Sequence, residues 1–187
     1  GTRLLEAHLG VQLAGAIPIV HSHPSGKVAE DVYLRHLAHV IELMKPEAVL
    51  TNDAFAPTVR AACDPKSTRV LDEARLPATT AFAPHAWEEV DAREVAIVQH
   101  SSGSTGLQKG VALTHEMVRR QCQVYARAIG VDAATDRVCS WLPLYHDMGL
   151  FTTWLMPLLE GIRVSALDPF DWVQDPISLL RLISERA

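Results

Sequence analysis

Apolar positions in this chain fall into stretches of helical spacing separated by short unbroken apolar runs, and the two kinds alternate. Leu4 to Ala14 reads as a helix that runs into a strand at Ile17-Pro18-Ile19-Val20. A polar loop with Pro and Gly follows at His21 to Gly26. Leu34, Leu37, Ile41 and Met44 recur at helical spacing, so Val28 to Lys45 is predicted as an amphipathic helix, stopped by Pro46. Ala48-Val49-Leu50 is the next strand, expected to be buried, and Asp53 is placed to cap a short helix through Ala62. Residues 63–94 carry the weakest signal, and the Pro, Ala and Thr between Pro77 and Pro84 suggest a connecting loop. Val95-Ala96-Ile97-Val98 and Val111-Ala112-Leu113 read as strands. Thr114 is the predicted N-cap of a helix whose apolar stripe is Val118, Cys122, Tyr125 and Ile129, with Gly130 as its C-terminal cap. Arg137 to Trp141 is a strand, and Gly149 to Leu159 a buried helix, apolar nearly all round, kinked or ended at Pro157. Ile162 to Leu167 is a strand, and Asp175 caps a last helix with Pro176 in its first turn. Repeated β–α units predict an α/β fold, a largely parallel sheet covered by helices.

Composition narrows the classes. The 187 residues are 48% hydrophobic, enough for one sizeable domain or half of a larger one. A net charge of −5 without a Lys/Arg cluster argues against nucleic-acid binding. Cys63, Cys122 and Cys139 are odd in number and widely spaced, which fits buried fillers in a reducing compartment better than a disulfide framework. The most apolar stretch, Met148 to Leu159, is too short to span a bilayer. No signal-peptide pattern is present, although Gly1 is not an initiator methionine. A cytoplasmic location is the expectation.

Candidate chemistry sits behind the strand Val95 to Val98. Gln99-His100-Ser101-Ser102-Gly103-Ser104-Thr105-Gly106-Leu107-Gln108-Lys109-Gly110 combines hydroxyls, glycines and a lysine. Glycines let the backbone approach a ligand closely, and successive N–H groups can form an anion-binding concavity. Ser and Thr add donors, and lysine adds a mobile positive charge. The stretch therefore reads as a phosphate cradle. It is not a Walker A loop, because Lys109 is followed by Gly110 and the glycine spacing fails. It is not the dinucleotide fingerprint either, since neither Gly103 nor Gly106 has a glycine two residues on. Val111 to Leu113 behind it predicts a strand–loop–strand hairpin. A plain Gly/Ser turn is the competing reading.

A second element, Trp141-Leu142-Pro143-Leu144-Tyr145-His146-Asp147-Met148-Gly149-Leu150, stands downstream. In that order, Ser101 to Gly110 and Leu142 to Leu150 resemble the phosphate loop and the next signature of the acyl-adenylate-forming (AMP-binding) superfamily. That superfamily includes acyl-CoA synthetases, fatty acyl-AMP ligases, luciferases and peptide-synthetase adenylation domains. The Tyr-His-Asp-Met-Gly wording is most like the fatty acyl-AMP ligases, and Ala14-Gly15-Ala16-Ile17-Pro18 resembles the family's upstream helix-to-strand junction. Gln108 stands where the family usually has proline, which loosens the loop without removing a phosphate ligand.

The resemblance implies ATP-dependent activation of a carboxylic acid, fatty or otherwise acyl, to acyl-AMP with release of pyrophosphate. Ser101, Ser102, Ser104 and Thr105, with the backbone at Gly103 and Gly106, would hold the β- and γ-phosphates. Lys109 would add charge to the leaving group; its alternative is an exposed loop lysine. His146 would sit at the mouth of the acyl pocket near the carboxylate and α-phosphate, or else be a core histidine bonded to Asp147 or a carbonyl. Asp147 is expected to cap the helix that begins near Gly149, and Met148 and Gly149 complete the substrate-side motif. Met148, Leu150 and Trp154 would line an acyl tunnel or simply form core. His21 with His23, and His36 with His39, lack carboxylate or cysteine partners in register, so no metal site is expected from them.

Family members carry further signatures downstream: an acidic magnesium ligand, a ribose-binding aspartate and a lysine on a mobile C-terminal domain. The resemblance therefore implies that residues 1–187 are part of the N-terminal AMP-binding domain, phosphate loop 101–110 included, without the C-terminal domain. The expected fragment is inactive alone, with Mg2+ bound elsewhere in the parent protein. The final acceptor, coenzyme A, an acyl carrier protein thiol or another nucleophile, is open. Two other readings stand beside the ligase: a non-catalytic scaffold that keeps the fold, and an amino-acid adenylation domain of a peptide synthetase.

Overall fold

In the computed structural model, which describes residues 2–24, 28–76, 90–101 and 109–186, helices and strands are interspersed in an α/β arrangement, though not in strict alternation. The first half holds α1 (Thr2–Leu13), α2 (Glu30–Met44), β1 (Ala48–Thr51), α3 (Ala56–Ala62) and β2 (Arg69–Asp72). The second half holds β3 (Val95–Ser101), β4 (Lys109–Thr114), α4 (His115–Ile129), β5 (Arg137–Ser140), α5 (Asp147–Leu150), α6 (Met156–Glu160), β6 (Arg163–Ala166), α7 (Pro169–Gln174) and α8 (Ile177–Arg186). The described residues divide into two units: 22–24 with 28–76, and 2–21 with 90–101 and 109–186.

In the unit of residues 22–76, Leu37 and Ile41 of α2 bury against Val59 of α3 and Cys63. Lys45 turns to φ 46° to close α2, its N–H donating to Ile41 O at 2.8 Å, and Pro46 prevents continuation. β1 and β2 pair in parallel, Ala48 opposite Arg69 through Thr51 opposite Asp72. Two expectations need correction. β1 is half-buried rather than buried, with Leu50 exposed. Asp53 does not cap α3: its carboxylate accepts the adjacent Ala54 N–H, while Asn52 Oδ1 accepts from Phe55, the residue before the helix. β2 lies in the stretch of weakest signal, because only Val70 and Leu71 stand between two charged residues and pairing with β1 supplies the rest.

In the other unit the core gathers Ala96, Ile97, Val118, Cys122, Ala126, Leu150, Leu155, Met156 and Ile162. β3 and β4 form the predicted antiparallel hairpin, Ser101 opposite Lys109. A register irregularity between Val95 and Ile97 lets the consecutive residues Ala96 and Ile97 both enter the core. The expected strand at Ile17 to Val20 is only one parallel bridge, Ile19 with Val98, since Pro18 has no N–H to give a ladder. Thr114 caps α4 through its side chain, accepting from Met117 N–H at 3.2 Å, and Gly130 closes it at φ 67°. The buried stripe runs Val118, Cys122, Ala126, whereas Ile129 in the last turn is 54% exposed. Burial and, secondarily, the Glu160 charge push the Cys122 thiol up to about 11.

β5 and β6 pair in parallel, and the segment between them is helical from Asp147 to Glu160. Pro157 does not end it. The turn ahead, Phe151–Leu155, widens to a π-helix in which Met156 N–H reaches back to Phe151 O, so proline falls in the first turn of α6. The segment is not buried all round, because Met148, Leu158 and Leu159 are about half-exposed. Helix α7, which the apolar pattern does not announce, is capped by Asp168 Oδ1 accepting from Phe170 N–H at 2.8 Å. Its Trp172 stacks on Trp141, ring centroids 3.7 Å apart and planes within 3°. Asp175 ends α7, and its carboxylate meets Arg181 of α8 at 2.9 Å. Among the described residues no helix is long and apolar enough to cross a membrane.

Candidate functional site

Two pieces of the second unit carry the chemistry-bearing residues. The first is the open end of the β3–β4 hairpin. Its last ladder pair sets Ser101 across from Lys109, whose side chain is exposed. The strands thus deliver both ends of the polar loop side by side. Ser102, Gly103, Ser104, Thr105 and Gly106, with Gln108, lie outside the described residues.

The second piece is the turn between β5 and α5. Ser140 Oγ accepts from Leu142 N–H at 3.0 Å, which bends the chain out of the strand. The turn closes where His146 N–H donates to Pro143 O at 3.1 Å, and α5 starts where Leu150 N–H donates to His146 O at 2.9 Å. Gly149 is forced by this closure: a Cβ there would stand 2.8 Å from the Pro143 carbonyl carbon. Leu150, one residue on, is a core anchor at 2% exposure.

His146 itself projects outward, its side chain 60% exposed, with Nδ1 2.7 Å from Asp147 Oδ1. Nδ1 also lies 3.3 Å from Met148 N–H, while Asp147 Oδ1 lies 2.7 Å from the same N–H. One ring nitrogen cannot donate and accept at once. The shorter contacts decide: Nδ1–H donates to the Asp147 carboxylate, which also receives the Met148 N–H. Asp147 therefore orients the imidazole, but it does not cap α5 as expected: it is the first residue of that helix, the N-cap position is His146, and its carboxylate takes the adjacent Met148 N–H. The alternative of a core histidine is corrected, because the ring is bonded to Asp147 yet exposed.

The two pieces are tied by one buried side chain. Gln99 in β3, two residues before Ser101, donates from Nε2 to Tyr145 O at 2.8 Å. The strand entering the polar loop and the turn presenting His146 are thus parts of one scaffold. With that scaffold in view, the match to known families is direct: the family described as AMP-binding enzyme covers residues 1–187. The chain belongs to this family.

Relatives of this AMP-binding chain include the long-chain-fatty-acid–AMP ligase FadD32 of Mycolicibacterium smegmatis, 30% identical over 187 residues, covering 97% of the chain and 29% of the relative. The medium-chain-fatty-acid–[acyl-carrier-protein] ligase TtuA of Teredinibacter turnerae is 40% identical over 92 residues, 49% of the chain and 14% of the relative. Among solved structures, one from a study of fatty acyl-adenylate ligases of E. coli and L. pneumophila superposes with a TM-score of 0.85 at 31% identity, covering 96% of the chain and 32% of that structure. The chain spans about a third of the length of the relatives it matches from end to end.

Other residues of the AMP-binding fold take plainer places. Leu150 packs in the core and Trp154 against it; the Trp154 indole nitrogen is buried without a hydrogen-bond partner. His36 is exposed on α2, and the His23 ring stacks on Phe55 at 6.1 Å. Among the described residues, no three His, Cys, Asp or Glu side chains converge as metal ligands. Two residues beside the site escaped sequence reasoning. The His100 ring meets His21 edge-on, centroids 5.8 Å apart, with both nitrogens of His100 buried and without hydrogen-bond partners; burial holds its pKa below the usual value. Gln99 is the other. An amide directly behind the apolar run Val95 to Val98 was the available signal, since such a group enters a core only with a partner.

Proposed function

We propose that the protein containing this chain is an AMP-forming ligase that activates a carboxylic acid, fatty or otherwise acyl, as acyl-AMP. The observation that carries the reading is the Gln99–Tyr145 hydrogen bond, which ties the strand entering the hydroxyl-rich loop to the turn that presents His146. A carboxylate oxygen of the acid attacks the α-phosphorus of ATP, and the bond to pyrophosphate breaks. Charge builds on the phosphoryl oxygens and the departing pyrophosphate, so catalysis is chiefly positioning and electrostatic stabilisation. The loop from Ser101 through Ser102, Gly103, Ser104, Thr105 and Gly106 holds the β- and γ-phosphates, and Lys109 meets the leaving group. His146, Asp147, Met148 and Gly149 form the mouth of the acyl pocket. With Nδ1 held by Asp147, Nε2 is the ring nitrogen left for the substrate side. Magnesium would supply charge neutralisation on the triphosphate, and no three His, Cys, Asp or Glu side chains among the described residues converge to hold it.

The fatty acyl class is supported by the names of the relatives, and transfer to a carrier-protein thiol by one of them. Coenzyme A is the competing acceptor, and the cytoplasm is the proposed setting. Pyrophosphate exchange by the full-length protein, run over fatty acids of graded length and amino acids, tests the reading. Exchange is expected with fatty acids, and Lys109→Ala and His146→Ala are each expected to lower kcat by about 10²-fold. The 187-residue chain alone is expected to be silent. A full-length protein that neither exchanges pyrophosphate nor binds ATP differently from its Lys109→Ala variant is a scaffold, and the reading fails.

A further inference from the structure

We infer that Gln99 is a positioning residue for this reaction: its amide fixes where His146 stands relative to the strand that enters the phosphate loop. The inference rests on the ligase reading above. The Tyr145–His146 peptide is held from both sides. Its carbonyl accepts from Gln99 Nε2 at 2.8 Å, and its N–H donates to Pro143 O at 3.1 Å. Beyond it, His146 O accepts from Leu150 N–H at 2.9 Å and Nδ1 meets Asp147 at 2.7 Å. The backbone N–H, the carbonyl and Nδ1 of His146 are thus all engaged, although its ring is mostly in water.

An exposed imidazole gains little packing energy, so such multiple anchoring serves direction more than stability. The choice of amide argues the same way. Gln99 is 8% exposed, within a strand whose neighbours Ala96 and Ile97 are core. A leucine there would fill similar space without desolvating a polar group, and replacing a buried polar pair by apolar contact is often nearly neutral for stability. What leucine cannot supply is a directional hold on a carbonyl 46 residues away in sequence. The acceptor is a carbonyl, so the donor atom must be Nε2, and the amide orientation is fixed. On the other side Gln99 is built into the β3–β4 ladder opposite Val111, and that ladder ends at Ser101 and Lys109. One amide therefore links the position of the leaving-group lysine to that of the histidine.

The test uses the full-length protein with Gln99→Leu and Gln99→Glu in pyrophosphate exchange. Gln99→Leu is expected to lose about 10- to 100-fold in kcat, as misplacement of reacting groups does, with KM for ATP within about threefold and an intact melting transition. Gln99→Glu supplies a readout that a purely structural role would not move. Its carboxylate repels the Tyr145 carbonyl, whereas its protonated acid donates to it, so its activity relative to wild type is expected to climb as pH falls. Gln99→Leu at wild-type kcat, or a Gln99→Glu profile parallel to wild type, overturns the inference and leaves the ligase reading intact. A silent wild type overturns both. If Gln99→Leu fails to fold, the Gln99→Glu profile alone decides.

Discussion

Gly149 shows how one missing Cβ builds the site. A Cβ on it would run into the Pro143 carbonyl, which cannot move without undoing the hydrogen bond that positions His146. Gly149→Ala is expected to destabilise by about 1–3 kcal/mol, as overpacking does, and to cut pyrophosphate exchange with it. Gly10, in the middle of α1 with open space where a Cβ would lie, is the control: Gly10→Ala is expected to raise stability by about 0.5–1 kcal/mol. Thermal melts of both variants check the pair; equal effects would contradict the crowding described. Glycine in the His-Asp-Met-Gly run is legible in the sequence as part of a motif. Its steric reason is not, because the atom it avoids belongs to a turn whose shape only folding reveals. His146 and Asp147 were readable as a pair for the same local reason that Met148 N–H finds a carboxylate one residue away.

At the level of elements, local chemistry was the readable part. Thr114, Gly130 and Pro46 act through neighbours within a few residues, and each ends or starts its helix where the sequence places it. Thr114→Ala is expected to cost about 1 kcal/mol, seen as a lower melting temperature, because Met117 N–H loses its acceptor. An unchanged melt would mean that water serves the helix end equally well. What escaped reading depends on partners far along the chain. β2 exists through β1, the stretch at Ile17 to Val20 is limited to one bridge by Pro18, and the choice between Asn52 and Asp53 turns on which side chain faces Phe55 N–H. The hairpin of β3 and β4 was legible from its apolar runs, while the Gln99 tie across to Tyr145 was not, because it joins residues from different motifs.

Over the whole molecule, stability is linked to acidity through histidines that folding removes from water. His8 in α1 is buried with Nδ1 lacking a hydrogen-bond partner, and burial lowers its pKa below 6.5; His100 is shifted the same way. Unfolded histidine binds protons near its ordinary pKa, and the native rings resist them. Their contribution is fully present above pH 6.5 and shrinks as pH drops below it, at no more than about 1.4 kcal/mol per pH unit for each ring. His8→Leu is expected to flatten the decline in melting temperature between neutral and mildly acidic buffer; an unaltered slope would show that folding does not lower the His8 pKa. The face-to-face indoles of Trp141 and Trp172 have a practical consequence. Electronic transitions of rings stacked this closely mix, so near-ultraviolet circular dichroism should carry a signature belonging to that pair alone. It roots in the residue that leaves β5 toward His146, and so gives a label-free optical gauge of whether that exit keeps its shape in each variant.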